Sequence, residues 1–158
     1  MRIAMIGLGR MGGNMTRRLV RAGHEVVGYD RDPETVAGLA AEGAIPAASI
    51  PEAVEKSRQD GRAVAWVMVP AGAPTAQAIS AVSTAMQAGD VIIDGGNSNF
   101  HDTRERATVL REQGIDLLDA GTSGGVWGLE NGYCLMIGGP LGAFRKAEPV
   151  FRALAPEN

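Results

Sequence analysis

The sequence RIAMIGLGRMGG, residues 2–13, contains the features that decide the fold. The apolar run Arg2–Ile6 leads directly into a G-x-G-x-x-G motif at residues 7–12, and Met11–Ala22 has the pattern of an amphipathic helix. A strand, a glycine-rich turn and a helix in this order are typical of the first βαβ unit of a nucleotide-binding sheet. We therefore predict a parallel sheet that starts at this strand.

The glycines of this motif have separate predicted tasks. Gly7 permits the tight turn, Gly9 lets the backbone approach a pyrophosphate, and Gly12 lets the helix pack closely on the strand. The N-terminus of the helix adds free N–H groups and a partial positive charge, which favour phosphate binding. The alternative is a glycine-rich turn that binds no ligand.

Short apolar runs alternate with longer segments of helical pattern along the rest of the chain. We predict strands at Arg2–Ile6, Glu25–Tyr29, Ala63–Val69, Val91–Asp94, Ile115–Ala120 and Tyr133–Ile137, and helices at Met11–Ala22, Pro33–Ala41, Pro51–Lys56, Pro74–Gln87, Asp102–Gln113 and Gly142–Leu154. This alternation predicts an α/β fold of Rossmann type, a doubly wound, mostly parallel sheet with helices on both faces. Residues 1–158 are predicted to form one dinucleotide-binding domain.

The composition excludes several function classes. The net charge is −3 and no basic run occurs, which argues against a nucleic-acid partner. No apolar stretch is long enough to span a membrane, and the N-terminal sequence does not resemble a signal peptide. Cys134 is the single cysteine, and with two histidines it makes a metal site unfavourable. We expect a reduced, cytoplasmic protein without a metal.

An acidic residue follows the second predicted strand. Asp30 lies 18 residues after Gly12. This is close to the spacing of about 20 residues at which a carboxylate accepts hydrogen bonds from the adenosine ribose of NAD. The same carboxylate repels the 2′-phosphate of NADP, whereas Arg31 attracts it. NAD is therefore the predicted cofactor and NADP remains open. The alternative is that Asp30 only caps the following turn.

Two further strand ends carry candidate functional residues. The third predicted strand ends in Val69-Pro70-Ala71, which forms a shelf beside the nicotinamide half of a dinucleotide or else a simple loop. The fourth ends in DGGNSN, residues 94–99, where Asn97 offers one acceptor and two donors. The alternative for Asn97 is a turn that satisfies its own backbone.

The sequence DAGTSGGVWG, residues 119–128, is the densest signal of a substrate site. Ser123 offers a hydroxyl, and Gly124 and Gly125 expose N–H groups, so the three form a nest for a carboxylate or hydroxyl group. Ser123 is interpreted as a binding residue, because no base lies at the spacing of a catalytic triad. Trp127 and Cys134 are interpreted as packing residues. Six methionines are interpreted in the same way, namely Met5, Met11, Met15, Met68, Met86 and Met136.

Four motifs together resemble one enzyme family. GLGRMGGN, WVMVPAG, DGGNSNFHDTRER and DAGTSGGVWGLENGYCLMIGG occur in the order seen in the decarboxylating 6-phosphogluconate dehydrogenases, especially their shorter, NAD-preferring bacterial branch. The resemblance extends more broadly to the β-hydroxyacid dehydrogenases. It covers residues 1–158 but only the N-terminal half of such an enzyme. It implies oxidative decarboxylation of 6-phosphogluconate to ribulose 5-phosphate, in the cytoplasm, by a homo-oligomeric full-length protein.

The resemblance also implies roles for single residues. The pyrophosphate would lie on the loop of Gly7, Leu8, Gly9, Arg10, Met11 and Gly12, and the adenosine ribose among Asp30, Arg31 and Asp32. Val69, Pro70 and Ala71 would line the nicotinamide side. Asn97 would contact cofactor and substrate, and Ser123, Gly124 and Gly125 would bind the sugar acid.

The departures from the family pattern limit what this chain does alone. Pro70 stands where the longer enzymes carry Lys. The general base of the family is a Lys in a K-x-x-x-N helix motif, and neither Lys56 nor Lys146 lies in such a motif. We expect the base, a following Glu and the helical domain that carries them to lie beyond Asn158, and the 158-residue chain to be inactive alone. The alternatives are the cofactor domain of a 3-hydroxyisobutyrate or other β-hydroxyacid dehydrogenase, and a non-catalytic NAD-sensing module.

Overall fold

A computed structural model describes residues 1–157, the side chain of Phe100 excepted. The strands are β1 (Arg2–Ile6), β2 (Glu25–Tyr29), β3 (Ile45–Pro46), β4 (Val64–Val67), β5 (Val91–Asp94), β6 (Asp116–Ser123) and β7 (Cys134–Gly138). The helices are α1 (Arg10–Arg21), α2 (Pro33–Ala40), α3 (Ile50–Ser57), α4 (Ala73–Thr84), α5 (Phe100–Glu112), α6 (Gly128–Asn131) and α7 (Leu141–Leu154). No helix in this part of the chain is both long and apolar enough to cross a membrane.

The strands form one sheet in the order β3-β2-β1-β4-β5-β6-β7. Neighbouring strands from β3 to β6 are parallel, and β7 is antiparallel to β6. This confirms the predicted doubly wound α/β fold.

Two apolar cores lie on opposite faces of the sheet. In β1, Ile3 and Met5 belong to the core that includes α1 and α7, whereas Ala4 and Ile6 belong to the core that includes α3 and α4. All four side chains are 2% exposed or less. Coverage on both faces explains why the central strands are apolar at consecutive positions.

Residues predicted to cap the helices are found at the helix ends. Asp32 caps α2 by accepting a hydrogen bond from the Glu34 N–H, and Pro33 occupies the first turn. Gly43 follows α2 with a φ of +109°, and Gly114 follows α5 with a φ of +78°. Both are left-handed conformations that glycine adopts without a steric penalty.

The structure differs from the prediction at the two edges of the sheet. The sheet has seven strands where six were predicted. The additional strand is β3, which has two residues and is too short to produce a periodic pattern. The short helix α6, and the single 3₁₀ turn at Gly125–Trp127 before it, were likewise not predicted. β6 was predicted to end at Ala120 and extends to Ser123, because β7 folds back and pairs with it beyond the end of β5.

Three predicted packing residues are exposed. Trp127 is 70% exposed, Met136 is 77% exposed and Cys134 is also exposed, so their interpretation as buried residues was wrong. In β7, Leu135 and Ile137 pack against the core, whereas Cys134 and Met136 lie on the opposite face. The core therefore covers only one face of β7, although the side chains on both of its faces are apolar.

Candidate functional site

The register of the sheet brings the carboxyl ends of β1, β2, β4 and β5 level with one another and with Asp119 in the middle of β6. Ile6 pairs with Tyr29 and with Val67, Val67 pairs with Asp94, and Asp94 pairs with Asp119. The candidate functional residues follow these strand ends, except Ser123, which is the last residue of β6. The strand order reverses between β1 and β4, and open α/β sheets bind their ligands at that point.

The glycine loop after β1 packs tightly except at Gly9. A Cβ at Gly7, where φ is +99°, would overlap the carbonyl oxygen of Met68, and one at Gly12 would overlap the carbonyl oxygen of Gly7. A Cβ at Gly9 would have no atom within 4 Å. Gly9 is the N-cap of α1, and neither a side-chain cap nor an acidic residue in the first turn occupies that helix end. The helix N-terminus is thus able to receive an anion.

The carboxylate of Asp30 joins the loops that follow β1 and β2. Its Oδ2 accepts a hydrogen bond of 2.8 Å from the Leu8 N–H, and its Oδ1 accepts one of 2.9 Å from the Asp32 N–H. The turn-capping alternative therefore describes part of what Asp30 does. Because each oxygen accepts one of these two bonds, lone pairs remain for a ligand hydroxyl.

A cavity of about 510 Å³ opens between these loops and α4. It brings together six of the predicted residues, namely Gly7, Gly9, Asp30, Arg31, Val69 and Pro70. Six other residues predicted to bind the cofactor are neighbours of these in sequence but do not line the cavity, namely Leu8, Arg10, Met11, Gly12, Asp32 and Ala71. The side chain of Leu8 is instead in the core, 3% exposed.

Several residues that line this cavity were not predicted from the sequence. Tyr29, Ile50, Met68, Pro74 and Gln77 also line it. Pro74 gave a usable signal, because a proline that opens the helix after the β4 loop brings the first turn of α4 to the same sheet edge. Ile50 gave none, since nothing in the local sequence shows that the start of α3 faces this site.

The predicted substrate residues are exposed and lie outside the described wall of the cavity. Asn97 has a φ of +53°, and it follows Gly95 and Gly96, which are buried. Ser123 ends β6 opposite Cys134, so it belongs to a strand rather than to the predicted loop. Gly124 and Gly125 follow with φ values of +154° and +51° and leave their backbone accessible.

Asp119 lies at the same edge, next to Asp94 on the neighbouring strand. Burial, and to a smaller extent the charge of Asp94, raise the pKa of Asp119 above its ordinary value. Since the folded protein binds this proton more tightly than the unfolded chain, the ionised form of Asp119 reduces stability at neutral pH.

Asp119→Asn is therefore expected to raise the free energy of unfolding at pH 7 by about 0.5 kcal/mol, the scale for partly exposed charges. The gain should vanish below the pKa of an unfolded Asp and appear as the pH rises through the higher pKa of the folded state. Urea unfolding at about pH 3 and pH 7 measures it. Asp116→Asn, at the other end of β6, is the control. An equal gain in that variant would assign the effect to net charge rather than to this position.

Comparison with known proteins identifies relatives of nearly the whole chain. Residues 2–157 match the NAD binding domain of 6-phosphogluconate dehydrogenase. The NAD(+)-dependent, decarboxylating 6-phosphogluconate dehydrogenase of Haloferax volcanii is 42% identical over 155 residues, which are 98% of this chain and 50% of that protein. The solved 3-hydroxyisobutyrate dehydrogenase of Mycobacterium tuberculosis is 35% identical with a TM-score of 0.87, and the match covers 97% of this chain and 51% of that one.

A third comparison extends the likeness in fold. The 6-phosphogluconate dehydrogenase of Plasmodium falciparum superposes with a TM-score of 0.90 at 23% identity, over 99% of this chain and 34% of that one. The chain spans about half the length of the first curated relatives it matches, 50% of one and 52% of another. On the extent of the family match, this chain belongs to the NAD-binding domains of the 6-phosphogluconate dehydrogenase family.

Proposed function

We propose that the chain holds NAD in the cavity between β1 and β4, as the cofactor-binding half of an enzyme that oxidises and decarboxylates 6-phosphogluconate. The observation that carries this proposal is the uncapped N-terminus of α1 at Gly9, which opens into that cavity beside Asp30. The absence of atoms within 4 Å of a Cβ at Gly9 leaves the backbone open to a pyrophosphate.

The proposed positions follow the sheet edge from β2 to β6. Residues 7–12 hold the pyrophosphate, Asp30–Asp32 surround the adenosine ribose and Val69–Ala71 lie beside the nicotinamide. Asn97 contacts cofactor and substrate, and residues 123–125 bind the carboxylate end of the sugar acid. When bound, the nicotinamide ring accepts a hydride from the substrate.

Proton transfer is assigned to a group outside this domain. The Lys56 ammonium donates to the Pro46 carbonyl, and the Lys146 ammonium donates to the Gly89 carbonyl just before β5. Lys146 is thus at the amino edge of the sheet, opposite the proposed site, and neither lysine lines the cavity. A homo-oligomeric enzyme about twice as long as this chain is proposed to supply the base.

The cofactor preference tests this proposal. A 2′-phosphate about 4 Å from Asp30 would cost up to about 4 kcal/mol at an effective dielectric constant near 20. Arg31, which is exposed and lines the same cavity, offsets part of that repulsion by pairing with the phosphate. We therefore expect NAD to bind about 5- to 150-fold more tightly than NADP. Asp30→Ala should narrow this ratio and Arg31→Ala should widen it, as measured by calorimetric titration of both dinucleotides.

The ratio of affinities is the decisive quantity, because Asp30→Ala also removes the bond to Leu8 and lowers the affinity for both cofactors. Asp116→Ala is the control, since Asp116 lies at the start of β6 and outside the described wall of the cavity. Equal or tighter binding of NADP by the unaltered chain would contradict the assignment of Asp30.

A second candidate function is the oxidation of a small β-hydroxy acid. It is favoured by the 35% identity with 3-hydroxyisobutyrate dehydrogenase over 97% of the chain. The DGGN and TSGG sequences at residues 94–97 and 122–125 favour the sugar acid instead. Titration of the NAD-saturated chain with 6-phosphogluconate and with 3-hydroxyisobutyrate, followed at the amide resonances of residues 123–125, distinguishes the two acids.

A further inference from the structure

A buried ion pair spans the base of the loop between β5 and α5. Asp94 is fully buried, and its Oδ1 accepts a hydrogen bond of 3.0 Å from the Gly96 N–H. Its Oδ2 lies 3.6 Å from Nη1 of Arg106, whose side chain is 21% exposed. Both of these atoms are buried and have no hydrogen-bond partner. The contact is therefore between charges, and it ties the second turn of α5 to the end of β5.

The two glycines of the loop lie close to β4 and α4. A Cβ at Gly95 would overlap Nε1 of Trp66, and a Cβ at Gly96 would crowd Oγ1 of Thr75. The backbone of both residues therefore packs closely on β4 and α4. The next residue, Asn97, is exposed and has a φ of +53°.

The end of the loop that leads into α5 is also fixed by a hydrogen bond. Asn99 is the N-cap of α5, and its side chain accepts a hydrogen bond from the His101 N–H. Asparagine adopts the left-handed conformation more readily than most side chains but still at a cost, so the surroundings of Asn97 favour it. The fixed points on either side of Asn97 are the Asp94 carboxylate with its Arg106 partner and the Asn99 cap.

We propose that Arg106 and Asp94 are positioning residues, which hold Asn97 in its left-handed conformation and so direct its side chain toward the bound ligand. The ligand part of this inference rests on the proposed function, whereas the conformational part does not. Arg106 acts through Asp94 and the loop, because it lies outside the described wall of the cavity.

Substitutions at Arg106 in the full 158-residue chain test the inference with two readouts. The first is the position of the Asn97 backbone and side-chain amide resonances without ligand, and the second is the affinity for NAD. Arg106→Gln is expected to shift the Asn97 resonances and to weaken NAD binding at least about fivefold. Arg106→Lys keeps the charge and is expected to restore both readouts. Arg111→Gln, an exposed arginine of the same helix, controls for the lost charge.

A double-mutant cycle shows whether the effect passes through Asn97. In an Asn97→Ala background, Arg106→Gln should cause no further loss of NAD affinity. A full additional loss there, or unchanged Asn97 resonances in Arg106→Gln, would overturn the inference. If Arg106→Gln does not fold, Asp94→Asn replaces it, since it keeps an acceptor for Gly96 and removes the charge. Wild-type Asn97 resonances in that variant would also overturn it.

The same cycle separates the two proposals. If Asn97→Ala binds NAD as tightly as the unaltered chain, the role proposed for Asn97 in cofactor binding is wrong. The resonances of Asn97 in the Arg106 variants still decide whether the ion pair sets its conformation.

Discussion

Gly9→Ala is expected to leave the domain folded and to remove most of its affinity for NAD. The backbone at Gly9 has a φ of −63°, which alanine adopts freely, and a Cβ there would meet no atom within 4 Å. Stability should therefore change by less than about 1 kcal/mol. The same methyl group would occupy the place where a pyrophosphate approaches the start of α1. We expect a loss of about 2–3 kcal/mol in binding, roughly 30- to 150-fold in Kd.

Gly12→Ala provides the matched comparison, because it adds the same methyl group three residues later in the same loop. There the Cβ would overlap the carbonyl oxygen of Gly7, a backbone atom that cannot rotate away. Overpacking of this kind should lower the free energy of unfolding by about 3 kcal/mol. Urea unfolding and calorimetric titration of NAD on both variants measure the two effects. Unchanged NAD affinity in Gly9→Ala would show that the pyrophosphate does not approach this backbone.

The sequence is most informative where a local pattern and a chemical requirement coincide. The run from β1 through the glycine loop into α1 carries strand, turn and helix signals within a few residues, and each signal is confirmed. Asp30 could be placed in the same way, because the end of β2 is fixed by its apolar pattern. The predicted residues Gly7, Gly9, Asp30 and Pro70 accordingly share one cavity.

Features that depend on what covers a surface could not be predicted. The sequence of β7 is uniformly apolar, yet Met136 and Cys134 lie on a face that the core does not cover. An apolar pattern in the sequence does not show whether a helix or another strand covers both faces of the strand. The extension of β6 to Ser123 likewise depends on pairing with β7, which a reading of each segment alone does not reveal.

Contacts between distant segments were equally hidden. The pairing of Arg106 with Asp94 could be suspected only after α5 was placed over β5. The same is true of the wall formed by Ile50, which reaches the cofactor cavity from a separate βα unit. Long-range pairs of this kind follow from the packing of whole elements and leave no signature in the local sequence.

The amino edge of the sheet, opposite the proposed site, carries a buried carboxylate that accepts four hydrogen bonds. Asp90 is fully buried, and both of its oxygens accept from Arg58, at 3.0 and 3.1 Å. Its Oδ1 also accepts from the Ala63 N–H and its Oδ2 from the Gln87 N–H. Asp90 thereby joins the ends of α3 and α4 to the start of β4. Bonding to Asp90 raises the pKa of Arg58, so the guanidinium stays charged.

Asp90→Ala is expected to lower the free energy of unfolding by about 3–5 kcal/mol, because it leaves a nearly buried guanidinium and two backbone N–H groups without their acceptor. This is a large part of the roughly 5–15 kcal/mol that stabilises an ordinary domain. Glu55→Ala is the control, since Glu55 lies 3.5 Å from the same Arg58 but is 68% exposed. Its loss should cost less than about 1 kcal/mol. Urea unfolding compares the two variants, and NAD affinity under folded conditions should be unchanged in both, because Asp90 and Glu55 lie away from the cavity. A cost for Asp90→Ala as small as that for Glu55→Ala would show that the buried pair contributes no more than an exposed one.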